Sequence, residues 1–261
     1  MDSAIWYRIN ALSRFLLLHC ASAFVPYFLV NEFPKSGGSW LGQMLANGLN
    51  VPFPRNRLPM LRASIMHGHY LRPGVMRNVV ILWRDGRDVL VSLYYHSLFK
   101  NDKWNQRLVE RVRSELSFRD YNDIESNLPD FIHYVYTSRK HFRFNWAEFV
   151  EHWIGRDNVV YVKYEDLRND TSGQLIRVIR ELHGVGISET LAHEIAGKYS
   201  FENMSGRKPG QQLSNSFLRK GIVGDWKNHF SPESRSIFDR YAGDALVALG
   251  YESDSGWVAR K

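Results

Sequence analysis

Hydrophobic residues along the chain fall into two patterns. Residues 25–33, 78–83 and 158–163 are short apolar runs, the last two rich in valine. Runs of this length predict buried strands. A weaker strand is expected at 62–66, ending in His67-Gly68-His69. Between the runs the spacing becomes helical. Leu41, Leu45 and Leu49 follow the first run, and Val89, Leu90, Leu93 and Tyr94 follow the run at 78–83. Trp146, Phe149, Val150 and Trp153 share a helical face, and further helices are expected at 171–183, 188–199 and 232–249. Pro232 suits the first turn of the last of these. Turn chemistry marks 52–57 and Pro73-Gly74, and 205–216 reads as a basic, flexible loop. The segment 99–145 is polar and less periodic, and is expected to be an irregular or helical insertion. Alternating strands and helices predict an α/β fold: a single domain, 1–261, with a central parallel β-sheet flanked by helices on both faces.

The first 24 residues predict a helical extension. Ile5, Ile9, Leu12 and Leu16 fall at helical spacing, so an amphipathic helix docked on the domain is expected. The alternative is a targeting or anchoring segment, since Arg8 and Arg14 precede an apolar stretch and Ala21-Ser22-Ala23 has small residues. That stretch is short for a signal peptide and is interrupted by His19. A span would need about 20 apolar residues, and would consume the first strand; no stable membrane span is expected.

Composition narrows the picture slightly. The chain has 261 residues, net charge +7 and a single cysteine, Cys20. One cysteine excludes an internal disulfide framework and suits a reducing, cytoplasmic location. The positive balance suits an anionic ligand, a nucleic acid or an acidic membrane surface without choosing between them.

Candidate chemistry gathers where strands end. Phe33-Pro34-Lys35-Ser36-Gly37-Gly38-Ser39-Trp40 joins the first strand to a helix. Such a turn aims backbone N–H groups and the positive end of a helix dipole at one spot, suited to a phosphate-like anion. Lys35 adds a charge, and Ser36 and Ser39 add hydroxyls. His69, Arg84 and Tyr164 follow the next three strands, and ligands of open α/β sheets bind outside the carboxyl ends. The common nucleotide loop carries its lysine after the last glycine; here Lys35 precedes the glycines. No acidic residue ends the second or third strand to hold Mg²⁺, and no Cys/His spacing suits a metal, with His67 and His69 lacking clear further ligands. No metal is expected.

These motifs resemble those of the cytosolic-type sulfotransferases. Residues 34–40 are similar to the family loop P-K-S-G-T-T-W, and Arg84 with Ser92 eight residues later resembles its 3′-phosphate segment. Tyr164-Glu165-Asp166 resembles its Y-E-D strand end. Arg219-Lys220-Gly221 through Phe230 is close to R-K-G-x-x-G-D-W-K-N-x-F. The four occur in the family's order. The resemblance implies transfer of a sulfuryl group from 3′-phosphoadenosine 5′-phosphosulfate (PAPS) to a hydroxyl or amine, leaving adenosine 3′,5′-bisphosphate (PAP). It assigns Lys35, Ser36, Gly37, Gly38 and Ser39 to the 5′-phosphosulfate, and Arg84, Ser92, Arg219, Lys220 and Gly221 to the 3′-phosphate. Trp40 and Phe201 would stack on adenine with Tyr164 near its edge, and Met204 belongs to the same T-S-F-x-x-M-like segment. His69 aligns with the histidine base of K-T-H, with His67 in place of its lysine. Lys35 would stabilise the leaving group, and Ser92 would restrain Lys35 until acceptor binds.

The chain also departs from the family. Ser231, Pro232 and Ser236 stand where its K-x-x-x-T-V-x-x-x-E dimer motif continues, so that dimerisation mode and the oligomeric state are not carried over. The acceptor-side segments, 99–145 included, match poorly. A small-molecule, saccharide or lipid acceptor stays open. Two other readings are a P-loop kinase using ATP on a small molecule, which lysine placement disfavours, and a non-catalytic nucleotide- or nucleic-acid-binding module. The basic residues sit in nucleotide-site motifs rather than in one stripe, so no nucleic-acid partner is expected.

Overall fold

The structure is a computed structural model that describes residues 3–55, 57–72, 77–102, 105–138, 140 and 143–260, the side chains of 3–8 excepted. Asn56 and the Pro73-Gly74 turn lie outside the described residues, as does the side chain of Ile5. In chain order the elements are α1 (Ser3–Leu16) with a π-helical turn (Leu17–Ala21), β1 (Tyr27–Glu32), α2 (Gly38–Gly48), β2 (Ser64–Gly68) and β3 (Asn78–Trp83). Then come α3 (Gly86–Leu98), α4 (Gln106–Glu115), α5 (Ile124–Thr137), α6 (Trp146–Trp153) and β4 (Val159–Lys163). The chain continues through α7 (Tyr164–Asn169), α8 (Thr171–His183), α9 (Glu189–Lys198), α10 (Phe201–Ser205) and α11 (Pro232–Ala248). Among the described residues no helix is long and apolar enough to cross a membrane.

The chain gathers into two compact units, Met1–Trp83 with Gly155–Met204, and Arg84–Ile154 with Ser205–Lys261. The first holds the expected parallel sheet, in the order β2-β1-β3-β4. All three pairings are parallel; Val30 lies opposite His67 and Val80, and Ile81 opposite Tyr161. Both faces of the central strands β1 and β3 are buried, which is why they read as continuous apolar runs, whereas the edge strand β4 is buried at alternate residues. On one face Phe28, Val30, Ile65, Val80, Leu82 and Val162 pack with Leu41 and Leu45 of α2 and with α8 and α9.

Three sequence expectations change here. β2 runs on through His67 to Gly68 rather than stopping at Met66, because parallel pairing with β1 continues that far. Tyr164-Glu165-Asp166-Leu167 does not close β4 but begins the short helix α7, with Glu165 and Asp166 favourably placed in its first turn. The N-terminal helix forms, but its apolar stripe does not dock. Ile9, Leu12 and Leu16 are exposed, while Asn10 and Arg14 are buried. The Arg14 guanidinium explains the inversion. Its Nε donates to Asn10 Oδ1 at 2.7 Å, and one terminal nitrogen donates to the carbonyls of Pro54 and, at 2.7 Å, Arg57. The multidentate bonds of a buried arginine fix the helix, so its polar side faces the protein.

The second unit is built on α3, buried along most of its length. Asp85 caps it, accepting from Arg87 N–H at 2.9 Å. Gly86 is required by packing, because a Cβ there would sit 2.7 Å from the Trp146 ring. Arg87 lies between the Trp226 and Trp257 rings, 3.8 and 4.7 Å from their centroids. It also pairs with Asp85 at 2.8 Å and Glu252 at 2.5 Å. The expected insertion at 99–145 contains α4 and α5. Within this unit α5 packs on α11, with Tyr136 and Tyr241 rings stacked at 4.9 Å. Trp226 is core, as read from the sequence.

Candidate functional site

In the first unit the site begins where β1 ends. The chain reverses through Lys35 at φ 77° and Gly37 at φ 110°, then enters α2 at Gly38. Both residues adopt the left-handed region, natural for glycine and costly for lysine, which marks a constrained loop. Gly37 has a second reason to be glycine: a Cβ would lie 2.8 Å from the Tyr164 ring. An oxyanion can approach the loop closely at the start of α2, where Gly38 N–H is already given to the Glu32 carboxylate and Trp40 N–H to Gly37 O at 2.9 Å. Ser36 is buried and turned inward. Its hydroxyl donates to Phe33 O at 2.8 Å and its N–H to the same oxygen at 3.2 Å. Ser39 and Lys35 are half-buried. Trp40 donates through Nε1 to Tyr199 O at 2.8 Å and meets Tyr164 edge to face at 5.8 Å. That bond ties α2 to the turn before Phe201, which is buried, and Met204, which is half-buried.

His69 stands beside this loop. Its Nδ1 lies 2.9 Å from the backbone oxygen of Glu32. A carbonyl only accepts, so Nδ1 carries the proton and the neutral ring presents a lone pair at Nε2. His69 is exposed as a residue. Its pKa is nonetheless pushed below the usual histidine range, first by loss of water around it and then by positive charge from His67; Lys35 adds to this and Glu32 opposes it. Neutral imidazole is the form a general base needs.

Glu32 was not singled out in the sequence. Its carboxylate is buried, lies 3.0 Å from His67 Nε2, and accepts from Gly38 N–H. Burial alone would raise its pKa, but the hydrogen bond from His67, the charge of His67 and the Gly38 amide outweigh that and hold it ionised. A Cβ at Gly38 would lie 2.7 Å from the Glu32 carboxyl and 2.8 Å from His67 Nε2. Gly38, where the family loop has threonine, thus makes room for the pair. Glu32, His67 and His69 also offer one ligand atom each within 4.8 Å of one another. Folding supplies the third ligand that the sequence lacked for the two histidines, so this trio is the metal-capable group among the described residues.

The second unit collects the other basic motif residues around α3. Arg84 lies 3.9 Å from Asp88. Asp88 is buried and accepts from the N–H groups of Gly224 at 2.7 Å and Trp226 at 2.9 Å, fastening the 219–228 segment to the start of α3. Ser92 is half-buried on α3. One turn on, Tyr95 lies under the Arg219 guanidinium, 4.6 Å away. Gly221 turns the chain at φ 66°. Asp225 binds both cations, Arg219 and Lys220, at 2.5 Å each, with His229 at 3.4 Å. Burial would raise the Asp225 pKa, but neighbouring His229 and the hydrogen bonds from Lys220 and Arg219 outweigh that and hold it far below the usual carboxylate range. The loop 205–216, read as flexible, is tied down: Arg207 donates to the carbonyls of Gln211, Leu218 and Arg219.

A sulfotransferase-domain model matches residues 26–250, most of the chain. The chain belongs to the sulfotransferase family. Rat sulfotransferase 2B1 is 30% identical over 184 residues, 66% of this chain and 48% of that protein. The chain thus matches about half the length of these first relatives. Zebrafish sulfotransferase 6B1 is 24% identical over 256 residues, 83% of this chain and 78% of its own. Among solved structures, mouse sulfotransferase SULT7A1 complexed with PAP has TM-score 0.61 at 19% identity, covering 92% of this chain and 93% of that one. A retinol dehydratase complexed with androsterone and PAP has TM-score 0.59 at 16% identity, covering 91% and 85%. At such identities these structures speak to the fold.

Proposed function

We propose that the protein transfers a sulfuryl group from PAPS to an acceptor hydroxyl or amine. The observation that carries the reading is the hydrogen bond from His69 Nδ1 to Glu32 O. It holds a neutral imidazole beside the strand end that leads into Lys35 and the bare glycine loop. A base for the acceptor and a cation for the leaving group then share the carboxyl end of the sheet.

In this reading the acceptor oxygen attacks sulfur while the bond from sulfur to the bridging oxygen of the 5′-phosphate breaks. The acceptor proton passes to His69 Nε2. Negative charge gathers on the departing PAP oxygen, where Lys35 and the loop amides offset it. Ser36, by its inward bonds, sets the loop's shape, and Ser39 and Gly38 contribute at the helix start. Trp40, Phe201 and Tyr164 supply aromatic surface for adenine, with Met204 beside Phe201 in sequence. Arg84, Ser92, Arg219, Lys220 and Gly221 serve the 3′-phosphate, and Ser92 restrains Lys35. Glu32 and His67 are additions to that set, His67 standing where the family has a lysine.

The acceptor class is a small molecule, a saccharide or a lipid bearing a hydroxyl, and a cytoplasmic location suits the single cysteine. The kinase and nucleotide-module alternatives are not favoured, since the family match spans the chain. The test is transfer from sulfate-labelled PAPS to a panel of phenols, steroids, amines, saccharides and lipid alcohols. Label should move to at least one class and fall to background with Lys35→Ala. Equal transfer by parent and Lys35→Ala would overturn the reading.

A further inference from the structure

The apolar stripe of α1 faces away from its own unit. At about 100° per residue, Asn10 and Arg14 lie near 100° and 140° from Ile9, whereas Leu12 and Leu16 lie near 300° and 340°. The exposures follow: Ile9 is 45% exposed, Leu12 59%, Phe15 46% and Leu16 48%. The bonds of Arg14 to the Pro54 and Arg57 carbonyls bring Pro54 and the 57–62 segment against this helix, and Tyr27 Oη donates to Met60 O at 2.9 Å. That segment adds two more uncovered leucines, Leu58 at 43% and Leu61 at 77%.

The charge of the same region has one sign. No Asp or Glu occurs between Asp2 and Glu32, nor between Glu32 and Asp85, and Glu32 is buried. Arg57, Arg62 and Arg72 fall in the second stretch and are exposed. An apolar helix face on a stretch that carries exposed arginines and no exposed carboxylate of its own is complementary to lipid headgroups of negative charge, with apolar side chains entering the acyl boundary. A second copy fits less well, because a two-fold contact would bring like-charged arginines together without acidic partners.

We propose that α1 and the 57–62 segment form a peripheral docking surface for an anionic bilayer. The helix lies in the interface plane; it does not span. The surface is independent of the sulfuryl-transfer reading.

The test is co-sedimentation of the full chain with phosphatidylcholine vesicles, with and without phosphatidylserine. Binding should require phosphatidylserine and weaken as salt rises. Leu12→Glu with Leu16→Glu should reduce it about tenfold or more while thermal unfolding stays cooperative. If that variant misfolds, Arg57→Glu with Arg62→Glu provides the second arm, with about tenfold loss of the phosphatidylserine preference. The proposal is overturned if the parent ignores phosphatidylserine, or if the folded leucine variant binds as the parent does. It is equally overturned if the parent is a dimer that the leucine changes dissociate while vesicle binding is absent.

Discussion

His67 Nε2 lies 3.0 Å from the buried Glu32 carboxylate, and together the two occupy the space that a side chain at position 38 would need. Two neighbouring positions, 32 and 38, are thereby coupled to a third far along the chain. Gly38→Thr, which restores the family residue, should cost about 1–3 kcal/mol in denaturant unfolding, as overpacking does. Adding Glu32→Ala should recover much of that loss. Strictly additive losses would show that the two sites do not crowd each other.

His69→Ala should lower kcat about 10²- to 10⁴-fold, the range for a lost general base, and leave PAP affinity within about twofold. Single-turnover kinetics and calorimetry separate the two. A parallel fall in both would make His69 a structural residue instead.

The pH dependence follows from the downward shift of His69. The base is neutral above its folded pKa, so the acid limb of kcat/KM should lie below the ordinary histidine value of about 6.5. The same shift affects stability. Below about 6.5 the unfolded chain takes up the proton before the folded one does, so this residue makes stability fall as pH drops. His69→Gln should remove that acid limb and flatten this part of the stability profile.

Asp225 moves stability with pH in the same direction, through its paired charge. Its depressed pKa means that its contribution is present above the unfolded carboxylate value and is lost only as pH falls through the folded one. Asp225→Asn should destabilise the chain by about 3–5 kcal/mol at neutral pH, because Arg219 and Lys220 lose a buried counter-charge. Urea unfolding measures this, and a change below about 0.5 kcal/mol would show the cluster to be solvent-screened.

Much of this was legible in the sequence. Val79 to Trp83 and Val159 to Val162 could hardly be anything but buried strands, and the motifs at their ends announced a nucleotide site. Asp225 was readable as part of the R-K-G-x-x-G-D-W segment, though only folding puts both cations on it. Glu32 was not readable. Its meeting with His67 depends on the parallel register that sets Val30 opposite His67, a long-range pairing that local spacing does not encode. Helix α1 illustrates a different limit. Periodicity tells which residues share a face, but not which face is covered, and the buried bonds of Arg14 decided that.

The most direct measurement is calorimetric titration with PAP, adenosine 5′-phosphate and ATP with Mg²⁺. PAP should bind about a hundredfold or more tighter than adenosine 5′-phosphate, since each charge-assisted contact to the 3′-phosphate adds about 1.5–3 kcal/mol. Arg219→Ala should remove most of that preference. Equal affinity for PAP and adenosine 5′-phosphate, or binding of ATP with Mg²⁺ alone, would contradict a PAPS-using site.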